Sequence, residues 1–157
     1  MLIEMRPIGV VETAVADADI AHQRRNMISE IRIFEEYAEG LTGITDYSHI
    51  IVLFWMHRAQ RSANLLVHPR GDSKLPLTGV LASRGCGHPN PIGFAVAELI
   101  EQTGNRLKVR RLDAYGGTPI IDIKPYDRYD VYTELRMPQW FNDRLTRHRS
   151  ENPQSGG

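Results

Sequence analysis

Ile92-Gly-Phe-Ala-Val-Ala-Glu-Leu-Ile-Glu-Gln-Thr-Gly-Asn-Arg-Leu-Lys-Val-Arg-Arg-Leu112 holds two apolar-rich runs, Ile92 to Ile100 and Arg106 to Leu112, around Thr103-Gly-Asn105. Glycine and asparagine between two such runs signal a β-hairpin. In the second run Leu107 and Val109 alternate with Lys108 and Arg110, the period of a strand with one face on a core and one in water. This hairpin sets the reading of the rest of the chain.

Outward from it, further strands follow. Pro7 to Thr13 is a short apolar run, and Ile28 to Phe34 alternates Ile31 and Ile33 with Glu30 and Arg32. Ile50 to Trp55 is apolar on both faces, which suits a strand buried on both sides, as within a capped barrel. Thr78 to Ala82 is brief, and Pro119 to Ile123 closes the set. Tyr37 to Leu41 looks like one helical turn, and Asn64 to Leu77 reads as a polar loop around His68-Pro-Arg-Gly-Asp72. Met137 to Arg149 spells a helix: Pro138 suits a first turn, and Met137, Phe141 and Leu145 share one stripe. Arg144, Arg147, His148 and Arg149 crowd its end, where the helix dipole favours cations. Short strands with glycine and proline between them favour a barrel or a sandwich. The expected organisation is one domain over 1–150, including the helix at 137–149, with a disordered tail at 151–157.

Composition narrows the class. At 157 residues, 41% hydrophobic and 24% charged, the chain is globular. No apolar run approaches the ~18 residues of a membrane span, and the N-terminus lacks a signal-peptide pattern. A single cysteine excludes an internal disulfide and fits a reducing, cytoplasmic setting. With 19 basic and 19 acidic residues, a strongly electrostatic nucleic-acid binder is disfavoured, although charge can be local. Neither a DNA nor a membrane partner is expected. Of the basic clusters, Arg24-Arg25, Lys108-Arg110-Arg111 and Arg144 to Arg149 could form an RNA-facing stripe. A solvated strand face accounts for Lys108 and Arg110 equally well.

Metal chemistry finds no footing: no Cys-x-x-Cys or His-Glu-x-x-His spacing occurs, and His49 and His57 would stand ~27 Å apart on one strand. Nor is there a Gly-x-Gly-x-x-Gly or a phosphate-loop lysine. The polar groups that stand out lie elsewhere. In Leu81 to Gly93, Pro89 and Pro91 stiffen a loop that carries Arg84, Cys86, His88 and Asn90. Such a loop is either a binding element or an elaborate turn. Cys86 beside His88 invites a thiol nucleophile, but no third orienting group accompanies them. Asp113, ahead of Gly116-Gly117, can hydrogen-bond ribose hydroxyls, balance a cationic ligand or cap a turn. His57 ends the apolar strand on the side of Leu53 and Trp55, as a core histidine or a ligand contact, and Arg58 beside it is similar. Asp122 and Lys124 share a strand face and make a surface ion pair.

Five stretches in order carry a resemblance: Arg6-Pro-Ile-Gly-Val-Val, Tyr37-Ala-Glu-Gly-Leu, Ser48-His-Ile-Ile-Val-Leu-Phe-Trp-Met-His57, Pro89-Asn-Pro-Ile-Gly93 and Gly117-Thr-Pro-Ile-Ile-Asp-Ile-Lys-Pro-Tyr126. Together they resemble the TsaA-like (YaeB-like) family. The resemblance implies a mainly β fold, a small closed or partly open β-barrel of short antiparallel strands with a C-terminal helix. It implies an S-adenosyl-L-methionine-dependent methyltransferase acting on N6 of threonylcarbamoyladenosine beside the tRNA anticodon. It also implies a homodimer with the cofactor near the subunit interface.

By the same resemblance the cofactor contacts are His57, Arg58, Arg84, Phe94, Asp113, Ala114, Tyr115 and Gly116, with Arg25, Asn26 and Met27 from the segment between the first two strands. That segment departs from the family pattern, reading His22-Gln-Arg-Arg-Asn-Met27. In the long loop Gly85 replaces a serine and His88 an arginine, so a fixed guanidinium becomes a titratable imidazole. Many members carry an extra C-terminal region that this sequence does not show. Tyr126, Asp113 and His88 are conceivable bases for the N6 proton, and the sequence does not choose among them. The alternatives are a methyltransferase of the same fold on another small or RNA substrate, and a non-catalytic cofactor-binding module.

Overall fold

The computed structural model describes residues 2–13, 26–60 and 64–151. In chain order it contains β1 (Gly9–Glu12), β2 (Ile28–Ile33), a 3-10 helix (Glu35–Leu41), β3 (His49–Trp55), β4 (Leu66–Val67), β5 (Thr78–Gly79), β6 (Ile92–Thr103), β7 (Arg106–Arg110), β8 (Pro119–Pro125) and α1 (Gln139–Glu151). Strands β1, β2, β7, β6, β3 and β8 pair in that order into a closed antiparallel barrel, and β4 and β5 form a separate two-stranded lobe. No helix of the described residues is long and apolar enough to cross a membrane.

Alternation builds the interior. Val11, Ile31, Ile33, Ile50, Val52, Phe54, Ala97, Leu107, Val109 and Ile120 all point inward, each at most 6% exposed. Leu41, Leu112 and Ala114 join the same cluster from outside the strands. Burying a side chain of this size contributes ~1.5–3 kcal/mol, so the barrel interior is the main source of stability. The hairpin turns at Gly104, whose φ is +58°, the left-handed region where glycine costs least. Asn105 then ties the hairpin to β2: its side-chain amide donates to the Ile33 carbonyl at 2.7 Å, and its own carbonyl accepts the Ile33 N–H at 2.8 Å.

β6 is the longest strand because it serves two neighbours. Ile92 to Glu98 pair with β3, Glu98 to Thr103 pair with β7, and the register shifts between Leu99 and Glu101. Such an irregularity bends the strand and helps a small sheet close on itself.

Several expectations need correction. β3 is buried on one face only: Ile50, Val52 and Phe54 point inward, while Ile51, Leu53 and Trp55 stay half-covered. Apolar composition on both faces therefore did not mean burial on both. The segment 64–77 is more than a loop, since Leu66–Val67 pairs with Thr78–Gly79 across it. The helix runs Gln139–Glu151, two residues later at each end than expected. The Pro138 carbonyl accepts the Phe141 N–H, so proline precedes the first turn rather than filling it. The disordered-tail expectation meets helix at Glu151, and 152–157 lie outside the described residues.

Candidate functional site at one end of the barrel

Antiparallel register decides which sequence candidates can meet. Trp55 pairs with Ile92, Phe54 with Ile120, Val10 with Pro119 and Ile28 with Arg110. One end of the barrel thus collects the exit of β3, the entry of β6, the exit of β7 and the entry of β8. Asn26, Met27, His57, Arg58, Phe94 and the Asp113–Gly116 stretch all lie there. Arg25 lies outside the described residues.

Two arginine–aromatic pairs mark this end. The Arg58 guanidinium stands 5.0 Å from the centroid of the Tyr115 ring, and that of Arg84 stands 5.5 Å from the Phe94 ring. Arg84 Nη2 also donates to the Phe94 carbonyl at 3.4 Å. Phe94 and Tyr115 are 48% and 41% exposed, so their faces meet guanidinium and water rather than core. Exposed pairs of this kind contribute ~0.5–1 kcal/mol each. The first joins the loop after β3 to the turn before β8, and the second folds the proline loop back onto β6.

The backbone around them is well tied. The Met56 N–H donates to the Pro91 carbonyl at 2.8 Å, which ties the exit of β3 to the proline loop. The Arg111 N–H donates to the Met27 carbonyl at 2.9 Å. Ahead of β8 the chain turns at Gly117 with φ +80°, and its N–H donates to the Val11 carbonyl at 2.8 Å. A side chain at Gly117 would strain that turn. Asp113 is half-buried between Leu112 and Ala114, both in the core. Met27 and Ala114 are 1% and 4% exposed, so both are buried beneath this end.

His57 is corrected. The chain leaves β3 at Trp55, and His57, with its N–H bound to the Trp55 carbonyl at 2.7 Å, is exposed rather than in the core. His88 is half-buried, with Nε2 3.0 Å from the Ser83 carbonyl. A carbonyl only accepts, so Nε2 carries the proton and the neutral ring keeps its lone pair on Nδ1. Nε2 of His88 is therefore committed to Ser83, and Cys86 is an exposed free thiol.

Tyr126 is placed elsewhere. Its N–H donates to the His49 carbonyl at 3.1 Å and its ring stands edge-on to His49 at 6.4 Å. That is the opposite end of β3, ~20 Å away along the strand. Within one copy of the chain, Tyr126 cannot share a site with Asp113 and His88.

The wall between the two ends is self-neutralised. Arg110 pairs with Glu98 at 2.7 Å, Lys124 with Asp122 at 2.8 Å, and Arg32 with Glu12 at 2.6 Å. Arg106 bridges Glu12 and Glu30, and these guanidiniums hold the Glu12 carboxyl below the usual carboxylate range. An RNA-facing stripe through Lys108 and Arg110 is thereby disfavoured. Arg24 and the side chains of 147–149 lie outside what is described. Among the described residues no three His, Cys, Asp or Glu side chains come together as a metal site would need.

Sequence reading missed the pairing of Arg58 with Tyr115 and the left-handed backbone of Arg111, φ +72°. Both arise from contacts between distant segments and leave no local signal.

Known proteins resemble the chain along most of its length. A family model described as the tRNA-methyltransferase O N-terminal domain matches residues 17–130. A probable S-adenosyl-L-methionine-binding protein of Archaeoglobus fulgidus is 48% identical over 158 residues, 99% of this chain and 40% of that protein. A second protein of that organism, an S-adenosyl-L-methionine-binding protein, is 47% identical over 139 residues, 86% of this chain and 98% of its own length. The crystal structure of TrmO from Pseudomonas aeruginosa superposes with a TM-score of 0.69 at 26% identity, covering 87% of this chain and 62% of that one. The chain thus spans less than half of the first of these relatives and nearly all of the second.

Proposed function

The chain belongs to the family of the tRNA-methyltransferase O N-terminal domain, and from that membership we propose that it is an S-adenosylmethionine-dependent methyltransferase. Its proposed acceptor is N6 of threonylcarbamoyladenosine next to the tRNA anticodon. The observation that carries the reading is the meeting of Arg58–Tyr115, Arg84–Phe94 and half-buried Asp113 at one barrel end.

The donor set fits the cofactor. Exposed aromatic faces suit a purine, the Asp113 carboxylate suits ribose hydroxyls, and the arginine forks suit the carboxylate of the amino-acid part. Exposed His57 and Asn26 and half-buried Gly116 border the same place, buried Met27 and Ala114 lie beneath it, and Arg25 is added on the family pattern alone. When bound, the cofactor supplies an activated methyl group. The protein's share is to hold the acceptor in line and exclude water, which for a well-oriented pair gains ~7–11 kcal/mol. N6 must also lose a proton. His88 and Asp113 are the candidate acceptors at this end. In favour of His88 is the Nδ1 lone pair left by its bond to Ser83.

We further infer a homodimer in a reducing, cytoplasmic setting. Exposed Leu65, Leu66, Leu77 and Leu81 around the β4–β5 lobe support the first, and the exposed thiol of Cys86 supports the second. The test is incubation with S-adenosylmethionine and tRNA carrying threonylcarbamoyladenosine. The expected result is the N6-methylated nucleoside together with S-adenosylhomocysteine. A second reading, a same-fold methyltransferase on another substrate or a non-catalytic binding module, draws on Gly85 and His88 and on the relatives' names as binding proteins. Cofactor binding without S-adenosylhomocysteine from any RNA would favour the module.

A further inference from the structure

Two exposed apolar surfaces of this chain are rooted at opposite ends of one strand. Between Trp55 and Ile92, which pair across β3 and β6, the chain makes the β4–β5 lobe. Leu66 lies opposite Gly79, the Leu65 carbonyl accepts the Val80 N–H at 2.8 Å, and Leu77 and Leu81 stand on either side of β5. One short ladder thus gathers four leucines, each more than half exposed. The second surface begins where β8 ends. There Pro125 pairs with Ile50, and the Tyr126 N–H donates to the His49 carbonyl. Its root therefore lies ~20 Å along β3 from that of the lobe.

That surface is the arm over residues 127–138. Tyr129 and Tyr132 are 92% and 74% exposed, and Val131 and Leu135 are more than half exposed. Tyr129 is held in place by a turn, Arg128–Asp130. The Asp127 carboxylate accepts the Tyr129 N–H at 2.7 Å, and the Asp130 carboxylate accepts the Asp127 N–H at 3.2 Å. Two carboxylates thus fix the backbone that presents a tyrosine to water, and a segment ordered before contact loses less entropy on binding. Tyrosine suits an interface because its ring buries apolar area while its hydroxyl stays wet. In the arm Asp127, Asp130 and Glu134 outnumber Arg128 and Arg136. That balance suits a protein surface better than a polyanion.

We propose that the arm of one copy docks on the leucine lobe of a second copy, and the reverse, around a single two-fold axis. The inference rests on the homodimer reading above and names the faces that meet. A lobe-on-lobe dimer would leave both arms bare. Antiparallel barrels cover all four surfaces at once and close the assembly. With ~150–250 Å² for an aromatic side chain and about 60–120 Å² for an aliphatic one, one arm and one lobe expose roughly 700 Å². The axis repeats that contact, which brings the pair to roughly 1,400 Å², within the ~1,200–2,000 Å² of a stable interface. The lobe is also tied to the candidate site. The Ser83 N–H and hydroxyl both donate to the Val80 carbonyl, and the Ser83 carbonyl holds His88. An arm seated on Leu81 thus braces the loop that carries His88.

The experiment is sedimentation equilibrium of the full chain with two double variants, Tyr129→Ser with Tyr132→Ser in the arm and Leu66→Ser with Leu81→Ser in the lobe. Wild type should be a dimer. Each variant should keep its melting transition, since all four side chains are exposed. Its dimer dissociation constant should rise at least ~100-fold. An equimolar mixture of the two variants should dimerise better than either alone, because the mixed pair sets one intact arm against one intact lobe. If the lobe variant loses its melting transition, Leu81→Ser alone replaces it. An arm variant as dimeric as wild type, or a mixture that gains nothing, overturns the pairing of arm with lobe and leaves the homodimer standing. An arm variant that keeps the dimer and binds an RNA hairpin more weakly overturns it too, and assigns the arm to RNA. A wild-type monomer overturns both the pairing and the homodimer.

Discussion

The ring of Phe54 occupies the space that a side chain at position 93 would need: a Cβ on Gly93 would lie 2.1 Å from Phe54 Cε2. The two residues are cross-strand partners on β3 and β6, and both are buried. The glycine that ends Pro89-Asn-Pro-Ile-Gly93 thus serves core packing directly beneath the proline loop. Gly93→Ala should destabilise the fold by ~1–3 kcal/mol, the usual cost of overfilling a core. Combining it with Phe54→Ala should cost less than the sum of the two changes. Chemical denaturation of the four proteins measures the coupling, and strict additivity would deny the contact.

Asp113→Asn keeps size and removes charge. Affinity for S-adenosylmethionine should fall by ~1.5–3 kcal/mol, the range for a hydrogen bond to a charged group, with the melting temperature of the unliganded protein held. Titration calorimetry reads the affinity and a thermal melt the stability. Unchanged affinity would return Asp113 to the role of a turn residue.

Tyr126→Phe should leave methyl transfer in place, because Tyr126 stands beside His49 at the far end of the barrel. Loss of turnover with intact cofactor binding would mean that a second copy brings its own Tyr126 to the site, which a mixed-subunit assay would reveal.

Glu12 predicts an acid response. Hydrogen bonds from Arg32 and then Arg106 hold its carboxyl below the ordinary value in the folded state. Its stabilising contribution is therefore complete above the unfolded carboxylate value, ~4.3, and is lost as pH falls through the lower folded one. Thermal melts of wild type and Glu12→Gln should differ at neutral pH and converge in acid. Added salt should shrink the gap, since the network is half-exposed. A gap that survives both acid and salt would place the effect in packing instead.

The elements that announced themselves in the sequence are those with period-two burial. Leu107 and Val109 against Lys108 and Arg110, and Ile31 and Ile33 against Glu30 and Arg32, fold as their alternation says. Long-range closure was less legible. Nothing local says that β6 bends between two partners, or that Leu66–Val67 finds Thr78–Gly79 across a polar segment. At the candidate site, the residue types of Arg58, Arg84, Phe94 and Tyr115 were readable, and their pairing was not. The choice between a core histidine and an exposed one at His57 was not legible either, because it depends on how the chain turns after Trp55. Tyr126 misled because a motif next to Pro119 in sequence runs the whole length of a strand away from it.

The seam of the barrel is narrow. β8 bridges β3 and β1, but it meets β1 through only two residue pairs, Gly9 with Ile120 and Val10 with Pro119. Those partners lie far apart in the sequence, so the ring cannot shut until Pro119–Pro125 has left the ribosome. Until then β1 and β3 both present bare hydrogen-bonding edges, the kind of surface that recruits other strands. A nascent or truncated chain stopped before Pro119 should therefore depend on chaperones and aggregate without them, well before any question of catalysis arises.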